Sequence, residues 1–292
     1  MDTQIKNYDI MSTSDFTPEM IFFYEEGQKQ RSRLILLKDR IKTMSTNDEY
    51  PHLYIYSVPG LGKTYTINKA MEEEGLNFES LSGNISMWAF GVSLATINYL
   101  KPANEEVIIS VDDCGEILKN STNINIMKNV LEGSKSFHYQ KHLNLAGQLD
   151  TLQQKAIATH MLEGQMGFKV PTNKFRFIFT SNEKLPFIED ADTQRKIDLY
   201  AIRDRVRPID FDLEPMVQWG WISDVALNTD AIKSCCPRKV IKEACMFMYQ
   251  NWENLKTQSI RTIKMMCEDY CKNPRSYRFI WEMEYIKQDG KI

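Results

Sequence analysis

The chain has 292 residues, 42% of them apolar, and a formal net charge of −3 with a pI near 5.9. That length allows one substantial α/β domain and a smaller satellite, and the charge excludes a surface that is basic throughout, so any nucleic-acid contact must come from a local patch. No apolar run approaches the ~18 residues needed to span a bilayer, and the polar, acidic opening MDTQIKNYDIMSTSDF is unlike a signal or transit peptide.

In chain order, residues 17–44 read as helix, with Pro18 near its first position. The apolar run Leu53–Tyr56 reads as a buried strand that breaks at a glycine-rich turn, and TYTINKAMEEEG follows as a helix ended by Gly75. FESLSG is a short strand and SMWAFGVSLATINYL a helix capped by Ser86. Val107–Val111 and Phe175–Thr180 are two further buried strands. Strands alternating with helices imply a parallel, doubly wound sheet. After FDLEP, near residue 214, the strand signals stop and helical patterns run to the end. The expected organisation is therefore a helical segment over 1–45, an α/β core over 46–213 and a small helical domain over 214–292. The six cysteines are Cys114, Cys235, Cys236, Cys245, Cys267 and Cys271; five crowd the last helical region without paired CxxC elements. They read as reduced thiols in a cytoplasmic protein rather than as a zinc site.

Pro59-Gly60-Leu61-Gly62-Lys63-Thr64 lies between a strand and a helix. A triphosphate needs backbone N–H groups turned inward around its oxygens, which glycines allow without a Cβ clash, and the helix N-terminus adds free amides and a favourable dipole. Lys63 would reach the β- and γ-phosphates of ATP, and the Thr64 hydroxyl would ligate Mg²⁺. Ser57 stands where the full motif has its first glycine. The second piece is Val111-Asp112-Asp113, at the end of a buried strand on the sheet edge where ligands bind. Asp112 suits the Mg²⁺ shell, and Asp113 could polarise an attacking water as general base. The third piece, Thr180-Ser181-Asn182, ends another strand, and the Asn182 amide can bond the γ-phosphate or the water. Taken alone, the acidic pair could merely open a loop and the asparagine a turn.

With these pieces in this order the chain resembles the AAA+ ATPase superfamily. Gly60-x-Gly62-Lys63-Thr64 looks like Walker A, Val111-Asp112-Asp113 like Walker B and Asn182 like sensor 1. The resemblance implies a three-layer P-loop core with a parallel sheet, a small C-terminal α-helical lid, ATP and Mg²⁺ as cofactors, and assembly into a ring or partial ring. Most members carry Glu where Asp113 stands. SLSG, VDDCGEIL, IMKNVLEG, and AIRDRV followed by DFDL also resemble AAA+ ATPases common in bacteriophage genomes, which would place the chain in the host cytoplasm. From the family, Arg205 matches the arginine finger offered to a neighbouring subunit, with Arg203 and Arg207 beside it; read from the residues alone, Arg205 is a surface arginine next to Asp204. Sensor 2 has two candidates, Arg261 behind a Ser259 cap and Arg238 at another helix start, and SIRT over 259–262 resembles the lid motif better.

Residues 133–174 form an insert that carries Lys135, Lys141, Lys155, Lys169 and Lys174 against Asp150 and Glu163, with His138, His142 and His160. Insertions here often face the pore of ring ATPases, so this one is a candidate nucleic-acid contact; the bland alternative is a solvated helical hairpin. His138 and His142 have metal spacing but no third ligand. Trp88 and Phe90 sit near the place of an aromatic pore loop but read better as core residues of a buried helix. Two activities compete: a motor or switch in DNA transactions (helicase, helicase loader or clamp-loader-like), and a remodeller of a protein partner. A third is a nucleotide-gated scaffold without turnover.

Overall fold

The computed structural model describes residues 15–44, 52–83, 85–132, 135–140, 149–162, 167–229, 231–232 and 236–287. In chain order the elements are α1 (Pro18–Lys29), α2 (Arg31–Met44), β1 (Leu53–Ser57), α3 (Lys63–Glu73), β2 (Phe78–Leu81), α4 (Met87–Leu100), β3 (Val107–Val111), α5 (Ser121–Leu131), β4 (Ser136–Tyr139), α6 (Thr151–His160) and β5 (Phe168–Pro171). They continue with β6 (Phe175–Ser181), α7 (Gln194–Arg203), β7 (Arg207–Phe211), α8 (Pro215–Asn228), α9 (Arg238–Gln250), α10 (Ile260–Lys272) and α11 (Tyr277–Tyr285). The contacts divide the chain into a helical unit (Met1–Leu36, Pro59–Gly62 and Asp212–Ile292) and a sheet unit (Leu37–Val58 and Lys63–Phe211). Residues 1–45, expected as a segment of their own, are therefore split: α1 packs on α8 in the helical unit, and the end of α2 belongs to the sheet unit.

The sheet unit holds five parallel strands in the order β2-β3-β6-β1-β7. The chain steps one way from β1 to β2 and the opposite way at every later crossover. Right-handed crossovers then put α3 on one face and α4, α5 and α7 on the other, which makes the expected three-layer α/β core. Strand alternation agrees. Val107, Ile109 and Val111 join Phe175, Phe177 and Phe179 in one apolar cluster with α4 and α5, while Ile108 and Ile178 point to the face of α3. On that face Leu37, Ile41 and Met44 of α2 are buried, and Lys38 and Lys42 pair with Glu73 and Glu74.

Three expectations need correction. The helix over 17–44 is interrupted at Gln30, which caps α1. The insert is not a helical hairpin: β4 and β5 form an antiparallel ribbon with α6 between them, and its alternate residues Phe137, Phe168 and Val170 enter the core beside Phe90. The run Arg207–Phe211, which carried no strand expectation, is the edge strand β7. Trp88 packs on Tyr139 and Phe168, and Phe90 is fully buried, so both are core residues.

In the helical unit α1 and α8 cross where neither helix can carry a side chain. A Cβ on Gly27 would collide with the backbone of Gly220, and one on Gly220 with the Phe23 carbonyl. Around this crossing Arg31 donates to both oxygens of the buried Asp224 at 2.7 and 2.8 Å. Cys236, Cys245 and Cys267 are buried, and burial pushes the Cys245 thiol up to about 12. Among the described residues no helix is long and apolar enough to cross a membrane.

Candidate nucleotide site

Strand alternation brings the catalytic candidates of the sheet unit together. Asp112 follows β3 in phase with Ile108 and Ser110, and Thr180 lies on β6 in phase with Ile178, so both face α3, whose first residues are Lys63 and Thr64. One carboxylate oxygen, Asp112 Oδ1, accepts from the Thr64 hydroxyl at 2.9 Å and from the Thr180 hydroxyl at 2.6 Å. Thr180 Oγ1 in turn accepts the Asp113 N–H at 3.1 Å. Asp113 is one of two described non-glycine residues with positive φ (56°), a conformation aspartate tolerates better than most. Its carboxylate is thus aimed from a turn rather than from the strand, and it is exposed.

Lys63 Nζ donates to the Ser57 carbonyl at 2.5 Å and to Asn182 Oδ1 at 3.0 Å. The lysine of the first motif and the amide of the third therefore meet directly. Burial lowers the Lys63 ammonium to about 8, overriding the opposite pull of Asp112 and Asp113. Ser57 explains its own departure from the motif. It is the last residue of β1, extended and buried, and its hydroxyl bonds the Val58 carbonyl at 3.0 Å, so the position does not require a glycine. The glycines that the turn does require are Gly60 and Gly62, at φ 80° and 85°.

The loop tip, Pro59–Gly62, clusters with the helical unit. The Ile260 N–H donates to the Gly60 carbonyl at 3.3 Å, and the Trp221 indole donates to that of Leu61 at 3.3 Å. A Cβ at Gly60 would collide with Ser259, so this glycine serves a close approach as well as a turn. Ser259 caps α10 through the Thr262 N–H at 3.2 Å, and Arg261, exposed in the first turn, directly follows the two residues that touch the loop. Arg238 is the exposed first residue of α9.

Arg205, the expected finger beside Asp204, is tied within this chain to other groups: Nε and Nη2 donate to Glu132 Oε2 at 2.9 and 2.5 Å, and Nη1 to the Ala201 carbonyl at 2.5 Å. Arg203 donates to the Leu185 carbonyl at 3.0 Å and lies 4.0 Å above the Phe187 ring. Arg207 opens β7.

Two features escaped the sequence. Thr180 belongs to the third motif, but its hydroxyl on Asp112 follows only from the alternation of β6. The segment after Asn182 is braced by Glu183, whose carboxylate takes two bonds from Arg195 at 2.6 and 2.7 Å and whose carbonyl takes the Tyr54 hydroxyl at 2.7 Å. No local pattern announces that brace.

The hard oxygen donors Thr64 and Asp112 fit Mg²⁺. Among the described residues no three His, Cys, Asp or Glu side chains cluster as a metal site. His142 of the candidate histidine pair lies outside the described residues.

No protein-family model matches the chain, and no curated protein matches it. Among solved structures it is similar to the RuvB Holliday junction branch migration motor of Thermotoga maritima, with 12% identity, a TM-score of 0.40, and 84% of this chain and 61% of that chain covered. It is also similar to the Orc1 protein of Aeropyrum pernix in complex with DNA, with 10% identity, a TM-score of 0.49, and 87% and 65% covered. The chain thus spans less than two thirds of the length of these solved chains.

Proposed function

We propose that this chain, which has the AAA+ P-loop ATPase fold, binds ATP with Mg²⁺ and hydrolyses it as one subunit of a ring or partial ring acting in DNA transactions. A helicase, a helicase loader or a clamp-loader-like switch of a bacteriophage would do such work. One observation carries the reading: Asp112 accepts from Thr64 and Thr180 while Lys63 bonds Asn182, so all three sequence motifs meet at one edge of the sheet.

In this reading Pro59, Gly60, Leu61 and Gly62 supply backbone around the phosphates, and Lys63 exchanges its bonds to Ser57 and Asn182 for phosphate oxygens. Thr64 and Asp112 hold Mg²⁺, which when bound offsets the charge that develops on the transferred phosphoryl group. Asp113 takes the proton of the attacking water, and Asn182 orients that water. Arg261, with Arg238 as the alternative, would serve as sensor 2 on the phosphates. The Arg205–Glu132 pair gives the finger a resting partner: Arg205 must leave Glu132 to reach a neighbouring subunit, so hydrolysis would depend on assembly. Phe90 is buried and Trp88 is half-buried against Tyr139 and Phe168, which weighs against the peptide-threading reading of these two aromatics.

ATPase assays with and without single-stranded DNA, together with mass determination in a non-hydrolysable ATP analogue, test the proposal. It expects DNA-stimulated turnover and nucleotide-dependent assembly. Turnover stimulated only by a protein partner would replace the DNA reading with a remodeller, and binding without turnover would leave a scaffold.

A further inference from the structure

The outer face of the β4–β5 ribbon borders a recess of about 680 Å³ that shares no residue with the phosphate loop. Its polar lining is Lys135, Ser136, Thr159, His160, Lys169 and Asn173, with no carboxylate among the lining residues. Lys135 and Lys169 are exposed, and neither ammonium has an ion pair or hydrogen bond among the described residues. Lys174, close in sequence, differs: it is buried, and its Nζ donates to the Lys101 and Pro102 carbonyls after α4 at 2.9 and 3.1 Å. That lysine has a structural task.

The backbone at Lys135 points to a ligand as well. Lys135 is held at φ 35°, a left-handed conformation unfavourable for any residue with a side chain. Its N–H is bonded to the Glu132 carbonyl and its own carbonyl to the Thr172 N–H, both at 2.7 Å, so the backbone is pinned there. Glycine would relax this position, yet a lysine occupies it. His160 is not a source of charge: burial and Lys174 lower its pKa, and its ring bonds the Asn98 amide at 3.2 Å.

We infer that this recess is a second anion site, which takes a phosphate group through Lys135 and Lys169 with Ser136 and Asn173 as neutral donors. The phosphate can come from a nucleic-acid strand or from free pyrophosphate. The strand source rests on the DNA reading above; the pyrophosphate source does not.

The test uses the full chain and the double variant Lys135→Gly/Lys169→Gln. Fluorescence anisotropy with a labelled oligothymidylate should show about a ten-fold or greater loss of affinity at low salt. The slope of log affinity against log salt should shrink by about 1.4, since two contacts to a single strand are lost. Pyrophosphate binding, read by thermal shift in a Lys63→Ala background that silences the loop, should weaken likewise if free phosphate is the ligand. Lys135→Gly alone should melt no lower than the parent, because the strained backbone is relieved; a purely structural lysine would give lower melting with unchanged binding. Equal behaviour of parent and double variant toward both probes, including no binding by either, overturns the inference. ATP turnover of the double variant should match the parent, and ATP binding by Lys63→Ala reports separately on the nucleotide site.

Discussion

The helical unit and the sheet unit use their polar groups for opposite ends. In the helical unit polar atoms close on packing. Trp219 and Trp281, fully buried, donate their indole N–H groups to the Cys245 and Met266 carbonyls at 2.8 and 3.0 Å, and Asp224 is held by Arg31, Gln28 and Asn228. In the sheet unit the apolar strands β3 and β6 end in polar groups that bond one another across element ends: Asp112 to two hydroxyls, Lys63 to Asn182, and Asp113 in a strained turn. The polar groups of the helical unit lie inside helix packing, where little change in volume is tolerated. Those at the sheet edge lie at element ends, and in the proposed reading they exchange partners for a ligand without unfolding anything.

The sharpest way to break this contrast is Lys63→Ala. It should reduce ATP affinity by about 10²-fold or more, measured calorimetrically, with little change in thermal stability. Unchanged affinity would refute the loop assignment, and a large loss of stability would make Lys63 a structural residue like Asp224. Arg205→Ala should lower turnover by about 10³-fold with ATP affinity nearly intact, and mixing with Lys63→Ala subunits should restore part of it. If turnover survives, the Glu132 pair is simply a surface ion pair, of ~1 kcal/mol at most.

The opposite behaviour is expected in the helical unit. Gly220→Val should destabilise the protein by about 3 kcal/mol in urea titrations, since the Phe23 carbonyl occupies the space of any Cβ. A variant as stable as the parent would show that α1 and α8 are not locked at this crossing. The smallest effect is a titration. Because burial lowers Lys63 from 10.5 to about 8, the free site loses its positive charge above pH 8. ATP affinity should therefore fall as pH rises through that value, approaching a tenfold loss per pH unit. The same shift has the opposite sign for folding: between about 8 and 10.5 the unfolded chain binds the extra proton, so this group's contribution to stability rises with pH over that window. Lys63→Met should flatten both profiles.

Much of this was legible in the chain. Strands β1, β3 and β6 are apolar runs that stop at glycine or at acidic and amide residues, and such runs read locally because a strand buried on both faces admits little else. The phosphate turn could be read because Gly60 and Gly62 meet a conformational demand that few other residues meet. The ribbon of the insert was not legible. SFHY and FKVP are each too short to signal a strand, and they become one only by pairing across the chain between them. Nor was the partner of Arg205, since Glu132 lies at the end of another helix, 73 residues away.

The sequence by itself determined which groups could meet a triphosphate and that they end strands of one parallel sheet, because glycine, lysine and carboxylate chemistry and apolar periodicity act over a few residues. Tertiary packing alone sets which oxygen of Asp112 two hydroxyls share, that α1 joins the helices from the far end of the chain, and that two lysines without partners among the described residues border one recess. Those outcomes depend on strand order and helix crossing, which are settled by burying all the apolar faces at once and leave no mark on any single stretch of chain.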